Sequence, residues 1–164
     1  MKDVRSLERL VRQELARGLS RRQVLASLGR EHDRDEVVYF LNELPEEAQR
    51  KRLQPLNWAL CLLILVLTVR KLYLMAGLQL AAMAADRFSP FLMLDLVVPM
   101  IHFYILYKLI RYQRQGYLFM AILGTLAFVR PENRIQPELS LYLVITILSF
   151  LLLALLFPRG QRLD

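Results

Sequence analysis

The pattern of apolar and polar positions changes character once along this chain, near residue 55. Upstream, apolar residues alternate with charges at helical spacing. Val4, Leu7, Leu10, Val11 and Leu15 recur on one face while Lys2, Arg5, Arg9 and Arg12 occupy another, which predicts an amphipathic helix stopped by Gly18. Ser20 and Gln23 stand at capping-box spacing ahead of Val24, Leu25 and Leu28, so a second helix follows and ends at Gly29. Asp33 and Glu36 repeat that signature before Val37, Val38, Phe40, Leu41 and Leu44. Pro45-Glu46-Glu47 then reads as a fresh helix start. Residues 1–54 are thus expected to form a small three-helix module.

Downstream the periodicity gives way to long apolar runs. A hydrocarbon core of about 30 Å takes about 20 helical residues, and four stretches approach that length, near 56–85, 90–110, 115–129 and 138–157. The last is the cleanest, uncharged from 139 to 157 and bracketed by Pro137 and Pro158. The third is the shortest and needs a thinned bilayer or a partly re-entrant path. The first contains Arg70-Lys71. Ending the span there leaves fourteen apolar residues, about 21 Å of helix and short of a bilayer. No Gly, Pro or Asn/Asp cluster surrounds the pair, so one continuous helix is expected to pass through it. The fold class is therefore all-α: a polytopic membrane protein with about four transmembrane helices in residues 55–164, preceded by a cytosolic module.

Charge supports that division. Residues 1–54 carry 12 Lys/Arg and 10 Asp/Glu, and the remaining residues carry 10 and 5, which divides the formal +7 into +2 and +5. Arg50-Lys51-Arg52, then Lys108, Arg111 and Arg114, then Arg159 and Arg162 fall on one side of a four-span topology. The positive-inside bias makes that side cytoplasmic, with both termini, and suggests a bacterial inner membrane. No apolar run lies in the first thirty residues, so no cleavable leader is read there. Tyr104, Tyr107, Tyr112 and Tyr117 cluster near the link between the second and third spans, where interfacial anchoring is expected. Gly77, Ala81 and Ala85, and Ala121 with Thr125, are spaced for close helix packing. The single cysteine, Cys61, reads as a small hydrophobe.

Polar residues at membrane depth are the remaining chemistry. An ionisable side chain there is costly and normally meets a partner or a water-lined cavity. At the helical rise, Arg70 lies roughly 20 Å from the cytoplasmic edge and Asp95 roughly 6–8 Å below the opposite edge, which predicts that Arg70 or Lys71 pairs with Asp95. Asp95, Pro99 and His102 share one face of the second span, and a mid-span Pro99 would free a carbonyl. The residues Arg70, Lys71, Asp95 and His102 form the candidate intramembrane cluster, read chiefly as structural and alternatively as a relay or a substrate cavity.

Phosphate-cradling Gly loops, HExxH, CxxC and GxSxG are all missing from the sequence, so no catalytic set, cofactor site or metal site is assigned, and enzymatic function is disfavoured. Gly18-x-Ser20, Val24-Leu25 and Gly29 resemble helix-turn-helix and ubiquitin-associated-type modules. The first of these implies DNA reading, which needs a basic recognition helix. Residues 31–47 instead hold seven acidic residues against Arg34, so no nucleic acid is expected. Contacts with lipid headgroups or a protein are placed on Arg5, Arg9, Arg12, Glu36 and Glu43. The expected function is that of a membrane accessory, assembly or regulatory protein presenting its module to a protein partner, or forming a homo-oligomer. The alternative is a small transporter or channel component using Asp95 and His102.

Overall fold

The computed structural model describes residues 2–85, 96–129, 133, 135–158 and 163, the first four by backbone alone. Among them are seven helices and no strand: α1 (Lys2–Ala16), α2 (Arg21–Leu28), α3 (Arg34–Glu43), α4 (Glu47–Ala84), α5 (Val97–Ile110), α6 (Arg114–Ala127) and α7 (Glu138–Leu156).

The helices α1–α3 close around one small core of Leu7, Val11, Leu15, Val24, Leu28, Val37, Phe40, Leu41 and Leu44. Local signals set the boundaries. Gly18 adopts φ 83°, a left-handed geometry open to glycine, and so ends α1. The Ser20 amide donates to Gln23 Oε1 at 2.9 Å, and the Asp35 amide to Asp33 Oδ1 at 3.1 Å, which satisfies donors at the starts of α2 and α3. Arg21 is the buried charge of this core. Its Nη2 donates to the Leu44 carbonyl at the end of α3, 3.1 Å away, and burial pulls its pKa below the ordinary value while Glu46 opposes the shift.

A second core joins α4 to α7, built on Leu60, Ile64 and Leu67 of α4, Ile105 and Leu109 of α5, Tyr117 and Met120 of α6, and Ile145, Leu152 and Leu156 of α7. The helix α4 runs unbroken through Arg70 and Lys71 for 38 residues, roughly 57 Å at the helical rise. Among the described residues, only α4 and α7 are long and apolar enough to cross a membrane. The described parts of α5 and α6, 14 residues each, fall short of that length, so of the four expected spans two are met among the described residues.

Packing is tightest between α6 and α7. A Cβ added to Gly124 would lie 2.1 Å from Thr146 Oγ1 and 3.2 Å from Thr146 Cβ, so the absence of a side chain sets the approach of the two backbones. Ala121 is buried on the same face, while Thr125 turns outward and its hydroxyl donates back to the Ala121 carbonyl. The other small-residue series departs from expectation. Gly77, Ala81 and Ala85 are exposed, and a Cβ at Gly77 would meet nothing within 4 Å. These residues lie beyond the level at which α4 meets α7, so they are no packing surface for the described helices.

At one end of the bundle, α5 and α6 join through an elbow of Arg111, Tyr112 and Gln113. The Gln113 amide donates to the Lys108 carbonyl and the Tyr112 amide to the Leu109 carbonyl, at 3.0 and 2.9 Å, the pattern of a Schellman turn. Tyr112 occupies the left-handed position at φ 54°, which glycine would take without strain. Its ring is buried and Arg50 lies over it, 4.9 Å from the centroid, so ring contacts offset the backbone cost. Tyr117 is also buried, its hydroxyl donating to Asn57 Oδ1 at 2.6 Å while Asn57 Nδ2 donates to the Leu109 carbonyl at 3.3 Å. Tyr104 and Tyr107 are thus exposed, whereas the closeness of the elbow to α4 turns Tyr112 and Tyr117 inward.

Candidate functional site

The bundle gathers its polar side chains at two levels. At the end away from the elbow, Arg70 Nη2 lies 2.9 Å from Glu138 Oε1, which joins α4 to the first turn of α7. Lys71 Nζ donates to Asn133 Oδ1 at 3.0 Å and stands over the Tyr142 ring at 5.4 Å. Asn133 in turn donates to the Ala127 carbonyl at 3.0 Å, at the end of α6. The sequence-predicted partner of these cations, Asp95, lies outside the described residues. Glu138 is the carboxylate that meets Arg70.

His102 sits one turn deeper and is 2% exposed. Its Nδ1 lies 3.1 Å from Thr68 Oγ1, and the Thr68 hydroxyl donates its own hydrogen to the Ile64 carbonyl at 2.7 Å. With the hydroxyl hydrogen so committed, the ring nitrogen supplies the other one, which assigns a hydrogen to Nδ1; in the neutral ring Nε2 is then the acceptor. Pro99 is buried on the same helix, and the carbonyl four residues before it, that of Asp95, lies outside the described residues.

Lys71, His102, Asn133 and Tyr142 line one cavity of about 140 Å³, completed by Val98, Leu123, Leu126 and Ala127. Of the predicted cluster, Lys71 and His102 share this cavity, whereas Arg70 is committed to Glu138. Thr68, Asn133, Tyr142 and Glu138 were not singled out from the sequence. Thr68 is a polar residue within an apolar run, which was the available signal. Asn133 sits in what reads as a plain polar loop and gave none. The cavity offers donors and one ring acceptor at an otherwise apolar level, suited to holding a small polar group. Among the described residues no three His, Cys, Asp or Glu side chains converge as metal ligands.

The second polar level is the elbow, where the N-terminal module attaches. Glu8 Oε1 accepts from Arg111 Nη2 at 2.7 Å, from Arg12 Nη2 at 3.2 Å and from Gln113 Nε2 at 3.2 Å. Arg12 also donates to the Arg111 carbonyl at 3.2 Å, placing a cation on the C-terminus of α5. Burial pulls the Arg12 guanidinium below its ordinary pKa, and Glu8 acts against that. Glu43 Oε2 accepts from the Gln115 amide at 3.2 Å, placing a carboxylate on the N-terminus of α6. Tyr39 Oη accepts from Gln115 Nε2 at 2.8 Å. The Asn42 side chain exchanges two hydrogen bonds with the backbone of Leu163, at 2.8 and 3.1 Å. The module thus supplies the charge that each of the two facing helix ends favours.

Of the residues predicted to contact headgroups or a partner, Arg12 and Glu43 are engaged inside the chain. Arg9 and Glu36 are exposed, and the side chain of Arg5 lies outside the described residues. Glu8, which organises the attachment, was missed because an acid within a basic stripe reads as an ordinary helix-surface partner.

Glu43 gives this attachment a pH dependence. Burial raises its pKa above the ordinary 4.5, with the Gln115 amide opposing. A raised carboxyl binds its proton more tightly in the docked state than in the open chain, so between the ordinary and the raised value the docked state holds more protons. Its stability then falls as pH rises through that window. The Glu43→Gln chain should keep the amide contact through its carbonyl oxygen and show a flatter dependence above pH 4.5 in hydrogen exchange across α3 and the elbow. An unchanged slope would refute this role.

Compared with models of known families, with curated proteins and with solved structures, the chain matches none.

Proposed function

We propose that this chain is a non-enzymatic integral membrane protein of the accessory, assembly or regulatory kind, whose bundle holds the α1–α3 module at the cytoplasmic face for a protein partner. The observation that carries this reading is the attachment at the elbow. Charges of opposite sign from α1 and α3 meet the two helix ends there, and side-chain bonds rather than a shared apolar core join module to bundle. Such a joint fixes the position of the module while leaving the surface of α2 uncommitted.

Membrane insertion is supported by the faces of the long helices. Only 28% and 33% of the most apolar windows of α4 and α7 are buried, whereas a core helix of a water-soluble protein is mostly covered. Leu62, Val66 and Val69 of α4 and Leu143, Ile147 and Phe150 of α7 are exposed, which suits a lipid surround. On this reading α5 and α6 complete a four-helix membrane bundle as short spans, the elbow and both termini are cytoplasmic, and the membrane is the bacterial inner membrane. The exposed Gly77–Ala81–Ala85 face is then available for association between copies.

The transporter reading draws on the cavity beside Lys71 and His102. Below that cavity, Leu60, Ile64, Ile105, Leu109 and Met120 are all fully buried, and the buried polar side chains at that depth are the hydroxyls of Thr146 and Ser149 on α7, Ser149 donating to the Ile145 carbonyl of its own helix at 2.7 Å. A layer of apolar side chains and hydroxyls, with no imidazole, carboxylate or cation buried in it among the described residues, favours the accessory reading.

The test is photo-crosslinking in native membranes from positions Arg9 and Glu36, each replaced singly by a photoreactive amino acid in the full chain. The expected result is one reproducible protein adduct, identified by mass spectrometry, from at least one position. Adducts to lipid alone, or none from either position, would refute the proposal.

A further inference from the structure

The face of the module made by α2 and the turn into α3 carries a groove of about 360 Å³, lined by Arg22, Leu25, Ala26, Gly29, Arg30 and Arg34. None of its residues takes part in the attachment at the elbow, so it stays open while the module is docked. Its arginines stand apart from others in the chain. Arg12, Arg17, Arg21, Arg50, Arg70 and Arg111 each lie within 4.0 Å of a carboxylate. Among the described residues, Arg22, Arg30 and Arg34 make no ion pair, as Arg9, Arg52 and Arg114 elsewhere also do not, and these three share one groove although Glu31, Asp33, Asp35 and Glu36 are their neighbours in the chain. Asp33 is turned to the Asp35 amide at the start of α3.

Resting on the accessory reading, we infer that this groove is where the module takes its partner, and that the occupant is a short acidic, amphipathic segment of a cytosolic protein. Charge complementarity sets the sign. Three guanidinium groups around one groove favour carboxylates, which each can engage in a two-pronged contact. The floor of Leu25, Ala26 and Gly29 takes an apolar side chain between those carboxylates, which gives such a segment a register. The exposed Glu31, Asp35 and Glu36 beside the groove limit the acidic stretch and favour Lys or Arg in its flanks. They also set the protein segment apart from nucleic acid, whose unbroken row of phosphates would pass them unfavourably. A headgroup surface would meet the same acids and would present no apolar side chain to the floor.

The experiment is photo-crosslinking from position 26 in the full chain in native membranes. Ala26 is replaced by a photoreactive amino acid and the crosslinked peptide is sequenced. The expected product is a protein adduct whose linked segment carries two or more Asp or Glu around an apolar residue. Its yield should fall roughly tenfold in the triple variant Arg22→Gln, Arg30→Gln, Arg34→Gln, and should be unchanged in Arg52→Gln on α4. All four arginines are exposed, and hydrogen exchange of α2 in each variant confirms that the module is folded. An adduct to lipid or nucleic acid, a linked segment without acids, or a protein adduct indifferent to the triple variant would each overturn the inference. If positions 9 and 36 capture a protein while position 26 does not, the groove assignment fails and the accessory reading stands. If no position captures a protein, both fail.

Discussion

Replacing Gly124 with alanine is expected to destabilise the bundle by about 1–3 kcal/mol, the cost of one methyl group forced into a closed contact. The new Cβ would fall 2.1 Å from Thr146 Oγ1, so α6 and α7 must separate or Thr146 must rotate. Rotation is only a partial remedy, because the Thr146 Cβ remains at 3.2 Å. Valine at position 124 should cost more than alanine, since its branches meet the same neighbour with no free rotamer. The measurement is resistance to unfolding in detergent, followed by tryptophan fluorescence of Trp58 or by helicity. Adding Thr146→Ala to Gly124→Ala should recover most of the loss, since only a few tenths of an ångström of adjustment then remain. A single variant as stable as the parent, or a pair no better than Gly124→Ala alone, would show that this contact does not set the helix separation.

Reversing Glu8 is the second large effect. That carboxylate is the common acceptor for Arg12, Arg111 and Gln113, and its side chain is 12% exposed. Glu8→Ala leaves two guanidinium groups facing each other. Because those are about a third exposed, water screens them, and about 1–2 kcal/mol is expected rather than the larger penalty of a fully buried pair. Glu8→Arg adds a third cation and should release the module. Amide exchange in α1 and across the elbow would then rise at least severalfold while α7 stays protected. The swapped pair Glu8→Arg with Arg111→Glu should restore protection in part. Unchanged exchange in the single reversal would remove the polar joint from this account.

Legibility in the sequence followed the range of the forces involved. Helix ends at Gly18, Ser20, Gly29 and Asp33 were readable because a cap is satisfied within a few residues of itself. The continuity of α4 through Arg70 was readable because nothing local breaks it. Contacts between distant segments were harder. Depth arithmetic placed Arg70 near the far end of the bundle, yet it did not bring Glu138 to Arg70, since a helix start lying level with Arg70 depends on how α7 is staggered against α4. Tyr112 and Tyr117 read as interfacial because aromatic rings near a charged link usually are. Burying them took a left-handed turn at Tyr112 and an amide at Asn57, neither of which leaves a periodic trace. The attachment of the module was hidden for the same reason, as Glu8 and Glu43 find their partners more than seventy residues away.

The length of α4 has a mechanical corollary. The module leads into this helix through three residues, Leu44, Pro45 and Glu46, and the same helix carries Arg70 and Lys71 at the far end of the bundle. Held in the packed layer of Leu60, Ile64 and Leu67, a helix this long would turn about that layer as a lever. A tilt imposed beside Lys71 would then arrive with opposite sign at Glu47, beside the elbow. Pro55 lies between that layer and the module, where a helix bends most easily, and would set how much of such a tilt arrives.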